Sequence, residues 1–160
     1  MVAWPALRDL RTHVPTRITQ AETPDGTLHG LHFRIEAARF TVLPQLPDRA
    51  VALVRLDVAG DPQDMAQWLN CTVSITDDKG RRWLPLYSQL GLEIAAFLGD
   101  GQRAGPNCRQ VIAGSGQGTA DEAFLLPLEV LDGLRLEIRD QAGLPDALSL
   151  PLRLVMRPAP

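Results

Sequence analysis

Apolar and polar residues alternate along most of the chain after Pro15, with a period of two rather than 3.6. "AVALVRLDVAG" (50–60) sets Val54, Leu56 and Val58 on one face and Arg55 and Asp57 on the other. In the same way Leu134, Leu136 and Ile138 alternate with Arg135, Glu137 and Arg139, and "LSLPLRLVM" continues the pattern through Leu148, Leu150, Leu152 and Leu154. "TRITQAE" (16–22) reads as a first strand ended by the turn signal Thr23-Pro24-Asp25-Gly26. In "LHFRIEAARFTVL" (31–43) the odd step from Ile35 to Phe40 flips the buried face, which predicts a bulge or break near Ala37-Ala38. This period indicates antiparallel strands with one wet face each. Seven or eight such strands, separated by Gly, Pro and Asp turns, predict an all-β, two-sheet sandwich or a barrel. The exception is "YSQLGLEIAAFLG" (87–99), compatible with a short helix near 88–98, while 99–107 and 113–122 read as loops.

The most legible stretch is "WLNCTVSITDDKGRRWLPLY" (68–87). Asp78-Lys79-Gly80 fits a three-residue hairpin loop closed by a left-handed glycine. That loop would pair Asp77 with Arg81, Ile75 with Trp83, Val73 with Pro85 and Cys71 with Tyr87. Leu69, Cys71, Val73, Ile75 and Trp83 are then expected inside, with Asn70, Thr72, Ser74 and Thr76 facing water.

The chain's 160 residues suit one domain, here a single sandwich over 16–157 after an N-terminal segment, 1–15. That segment reads either as a frayed terminus or as the remnant of an anchor or signal. A formal net charge of −3, with its basic residues scattered, argues against a nucleic-acid or anionic-membrane surface. No run approaches the ~18 apolar residues of a membrane-crossing helix.

Nothing in the sequence assembles a reaction centre, a metal site or a cofactor cradle. His29 and His32 have a chelating spacing only on a helix; in a strand they part to opposite faces. "GSGQG" (114–118) lacks the lysine of a phosphate loop and the third glycine of a dinucleotide loop, and Ser115 lacks the outer glycines of a nucleophile elbow. Asp57, Asp61 and Asp64 match no calcium loop, and Asn70-Cys71-Thr72 reads as a chance glycosylation triplet. Trp68 is the leftover of interest. Strand parity turns it away from Leu69 and Cys71, so it either stacks on a ligand or caps the sandwich end. Cys71 and Cys108 are the two cysteines. Cys71 points inward, and Cys108 opens a plausible strand, "CRQVIA", so a disulfide between them is expected; two buried thiols are the competing reading.

Four stretches, "VALVRLDVAG", "CTVSITDDKGRRWLPL", "FLLPLEVLDGLRLEI" and "LSLPLRL", follow one another in an order that resembles small immunoglobulin-like sandwich domains of bacterial secreted proteins and lipoproteins of unassigned function. The resemblance spans roughly 28–155 and brings no catalytic residues with it. It implies a non-enzymatic interaction or accessory domain of the cell envelope, periplasmic or otherwise extracytoplasmic, tethered upstream and partnered by another envelope protein. A small-ligand or glycan-binding module using Trp68 and the 99–107 loop is the alternative.

Overall fold

The computed structural model describes residues 17–99, 105–114, 117–141 and 145–158. Its elements run β1 (Arg17–Gln20), β2 (Asp25–Leu28), β3 (Leu31–Thr41), β4 (Arg49–Ala59), α1 (Pro62–Gln67), β5 (Thr72–Thr76) and β6 (Arg82–Trp83). There follow α2 (Gln89–Leu98), α3 (Cys108–Ala113), β7 (Gly118–Pro127), β8 (Leu134–Arg139), β9 (Asp146–Leu152) and β10 (Val155–Met156). They form two five-stranded sheets: β1-β9-β8-β5-β6, and β10-β3-β4-β7 with β2 also paired to β3. The strands exceed the seven or eight expected because long alternating runs divide. "LSLPLRLVM" ends its first strand at Leu152, and Val155–Met156 then joins β3 in the other sheet. Two pairings, β1 with β9 and β10 with β3, are parallel, so the sheets are mixed rather than wholly antiparallel.

The inner faces are those the alternation marks. Phe33, Leu56, Phe124, Leu136 and Leu150 are fully buried in one core between the sheets. The face switch in β3 is a register shift between Ile35 and Ala37. The hairpin loop closes as its residues dictate: Gly80 takes φ +79°, the Asp77 N–H donates to the Arg81 carbonyl at 3.2 Å, and Ile75 pairs with Trp83.

Beyond Trp83 the expected register fails. Pro85 has no N–H to give to a ladder, and the Leu86 N–H instead donates to the Ala123 carbonyl on β7 at 2.8 Å. The Val73–Pro85 and Cys71–Tyr87 pairs therefore never form, and Tyr87 and Leu69 stand exposed. Trp83, expected deep in the core, packs half-buried against its edge, with Arg81 over its ring. Ser74, expected in water, is buried where Arg82 donates to its hydroxyl at 2.6 Å.

Part of the second sheet is covered on both faces. Ala50, Ala52 and Val54 of β4 face the inter-sheet core, whereas Val51 and Leu53 pack under Ile94, Ala95 and Leu98 of α2. A strand buried on both sides reads as a continuous apolar run, and Ala50–Val54 is such a run. The C-terminal end of α2 is held by arginines, which suit the negative end of a helix: Arg39 and Arg157 donate to the Leu98 carbonyl at 2.7 and 3.4 Å. "CRQVIA", expected as a strand, is the helix α3. Asn107 and Gln110 form a reciprocal capping box, and Cys108, Val111 and Ile112 bury one helical face.

Candidate functional site

Trp68 is not the exposed stacking platform that strand parity suggested. Asp61 accepts from the Gln63 N–H and Pro62 follows at the first helical position, so this segment turns into α1 instead of a strand. Trp68 ends that helix at 8% exposure, tilted against Phe33, and its indole N–H donates to the His29 carbonyl at 3.2 Å. It caps the sandwich end. Of the 99–107 loop, residues 100–104 lie outside the described residues, as do the N-terminal segment 1–15 and Ser115; Gly105–Asn107 lead into α3. Gly114 ends α3 and Gly118 opens β7, so "GSGQG" joins a helix to a strand.

The remaining candidates are dispersed. Asp57 pairs with Arg34 at 2.6 Å, Asp61 caps α1, and Asp64 packs beside Gly30. His32 meets Asp25 at 3.1 Å. His29 does something the sequence did not show. It occupies the β2–β3 turn at φ +45°, with Nδ1 3.2 Å from Asp140 and Nε2 3.1 Å from Asp146. Only a doubly protonated ring donates to both carboxylates at once. The Asp146 contact, reinforced by Asp140 against the cost of burial, accordingly raises its pKa.

Cys71 and Cys108 form a disulfide with Cα atoms 5.7 Å apart. It ties the segment entering β5 to the first turn of α3, and both residues are buried.

The most unusual chemistry lies beside that bridge. Glu122 projects from the inner face of β7, in the same alternation as Ala120, Phe124 and Leu126, and is 3% exposed. One oxygen accepts from the Cys108 N–H at 2.9 Å; the other accepts no hydrogen bond among the described residues. Burial pushes its pKa up to about 7, the Cys108 N–H opposing and the neighbouring Asp121 adding to the rise. Asp121 points the other way and is fully engaged. It receives Arg55 at 2.8 and 3.1 Å and the Gly105 N–H at 2.8 Å.

Glu122 lines a cavity of about 260 Å³ enclosed by the approach to α2, the first turn of α3 and β7. Leu92 and Ala95 give it apolar walls, Asn107 and Gln110 a polar side, and Tyr87 stands at its rim, 72% exposed. Partial burial and then Glu122 raise the pKa of the Tyr87 phenol, with Arg109 opposing. Leu84 and Leu92 are also exposed, so large apolar side chains gather on the segment that crosses the edge of β7. A larger groove, about 1090 Å³, opens where β3 faces β8 and β9; its carboxylates, Glu36 and Asp132, are exposed and solvated.

Sequence reasoning missed Glu122. The signal was the parity of residues 120, 122, 124 and 126, which puts a carboxylate among inward apolar positions.

No family model matches the chain, and no curated protein matches it. Among solved structures it is similar to "Structure of a putative lipoprotein from Staphylococcus aureus subsp. aureus NCTC 8325", at 10% identity and a TM-score of 0.40, over 84% of this chain and 94% of that one. That degree of likeness assigns the chain neither a family nor a role.

Proposed function

We propose that the protein is a non-enzymatic, immunoglobulin-like interaction domain of the bacterial cell envelope, which holds a partner protein through the surface around Tyr87. The observation that carries the reading is the pair of exposed side chains Tyr87 and Leu92 lining a cavity with a buried carboxyl, with Leu84 exposed on the segment that leads to them. Aromatic and aliphatic side chains around a desolvated pocket are how interfaces build their strongest contacts. Two outward groups in the middle of the long edge strand β7 are met from within the chain. The Asp121 N–H donates to the Pro106 carbonyl, and the Ala123 carbonyl accepts from Leu86, so the binding surface is made of side chains rather than an open strand edge.

The buried disulfide supports an oxidising, extracytoplasmic setting. No helix among the described residues is long and apolar enough to cross a membrane. The non-enzymatic part of the reading is supported by the histidines of the β2–β3 turn and of β3: His29 and His32 are each committed to aspartates, and neither lines the Glu122 cavity.

A photo-crosslinking residue placed at Tyr87 in the native host tests the reading. It should yield one discrete adduct that the same residue at Asp78, on the distal hairpin, does not. Adducts from neither position, or the same adduct from both, would contradict it.

A further inference from the structure

We infer that the cavity beside α3 receives a primary ammonium group carried on an apolar chain, the form of a partner's lysine side chain, with Glu122 as its counter-ion. The inference rests on the interaction reading above and names the group by which that surface is held. The fully buried side-chain atoms left without any partner among the described residues are Thr41 Oγ1 and Asn70 Oδ1, so the second Glu122 oxygen is not sealed off and a donor from outside the chain can reach it. In Glu122, 3% exposed, the Cys108 N–H occupies one oxygen and no described residue occupies the other. The charged neighbours among the described residues do not supply that donor. Arg55 is committed to Asp121, while Arg109 acts toward Tyr87 at the rim. Among the described residues the uncompensated charge at the cavity is therefore negative, and an anionic ligand would meet a buried carboxylate.

Size and lining narrow the ligand further. A volume of about 260 Å³ lies below that of usual drug-sized pockets and suits a narrow chain with one compact head group. Leu92 and Ala95 can cover the methylenes of such a chain, as apolar surfaces do for lysine stems. Tyr87 offers a ring at the mouth, favourable to a passing cation. A guanidinium is broader and seeks two parallel acceptors, and only one Glu122 oxygen is open.

The test titrates n-hexylamine hydrochloride into the full chain at pH 8, following the backbone amide signals of Cys108, Glu122 and Leu92 by NMR. n-Hexanol and hexanoate form the comparison arms. Hexylammonium should shift these signals saturably, hexanol should bind at least roughly tenfold more weakly, and hexanoate should not bind. Glu122→Gln should weaken hexylammonium binding by at least roughly tenfold while leaving hexanol binding unchanged. Ala95→Leu, which fills the cavity from α2 with the carboxyl intact, should abolish binding of both. From pH 6 to 8 hexylammonium affinity should rise roughly tenfold as Glu122 ionises while the amine stays charged. Equal binding of hexanol and hexylammonium, unaltered binding by Glu122→Gln, or no saturable shift would overturn the inference. A positionally specific adduct from Tyr87 alongside any of these results would leave the interaction reading standing and remove the lysine from it.

Discussion

Glu122 and Glu137 are buried to nearly the same degree, 3% and 4% exposed, on strands of the two opposed sheets, yet their carboxyls shift in opposite directions. Glu137 lies on the outer face of β8. Burial works to raise its pKa, but Arg82 at 3.0 and 3.2 Å and Arg139 at 2.6 Å overcome that and hold it below the usual range. Among the described residues Glu122 has one backbone N–H and no cation, and burial carries it to about 7. Low exposure alone therefore says little about what an acid does: Glu122 lies in the deeper setting, while Glu137, on an outer face, has cations beside it. A carboxylate with two guanidiniums is part of a wall, and one that no cation among the described residues meets is where we propose a ligand binds.

The largest effect expected bears on what holds Glu122's single donor in place. The Cys71–Cys108 bridge closes a separation of 37 residues, so Cys71→Ala with Cys108→Ala should cost about 4 kcal/mol in chemical denaturation. A loss under about 1 kcal/mol would mean that packing alone seats α3. Two reactive thiols per chain, in protein purified without reductant from an oxidising compartment, would remove the bridge and the support it lends to an envelope setting.

Glu122→Gln comes next and should stabilise. The carboxyl rises from 4.5 unfolded to about 7 folded, so the folded state holds a proton that the unfolded chain sheds across that window. Stability falls as pH climbs from 4.5 to 7, and above 7 the full penalty of about 3 kcal/mol applies. Urea unfolding should show the variant more stable by that amount at pH 8.5 and little changed at pH 4. Equal gains at both pH values would point to packing rather than charge.

Glu137→Gln should act in the opposite sense and less strongly, costing about 2 kcal/mol at pH 7 because the amide keeps one acceptor for the arginines. The depressed pKa places this contribution above 4.5 and removes it as pH falls through the lower folded value, so the variant and the parent should converge in acid. Failure to converge would deny the ion pairs their role.

The smallest effect is at the half-exposed His29. Its raised pKa means that its contribution is whole below about 6.5 and lost as pH rises through the folded value. His29→Gln should cost more stability at pH 5.5 than at pH 9, and an equal cost at both would show the aspartate clamp to be indifferent to charge.

How much of this the sequence discloses depends on the range of the signal. The hairpin was legible because Asp78-Lys79-Gly80 and the alternation around it are local, and the cysteine pair because only one intramolecular pairing exists. "CRQVIA" was misread. Six residues are too few for periodicity to separate strand from helix, although Asn107 and Gln110 at capping-box spacing carried the answer. Trp68 was misplaced because strand parity was carried across Asp61-Pro62, which starts a helix. The two glutamates lie beyond such reasoning altogether. Parity turns Glu122 inward, but no local feature tells that Arg82, eight residues from Ser74 and 55 from Glu137, reaches one acid while no cation among the described residues reaches the other.

Direct titration of the glutamate side-chain carboxyls by carbon NMR, with Glu122→Gln and Glu137→Gln as assignments, tests the central contrast. Glu122 should titrate with a midpoint near 7, and Glu137 below the ordinary glutamate range. A Glu122 midpoint at or below 4.5 would mean that a partner cation already reaches it, and would close the cavity to the role given it here.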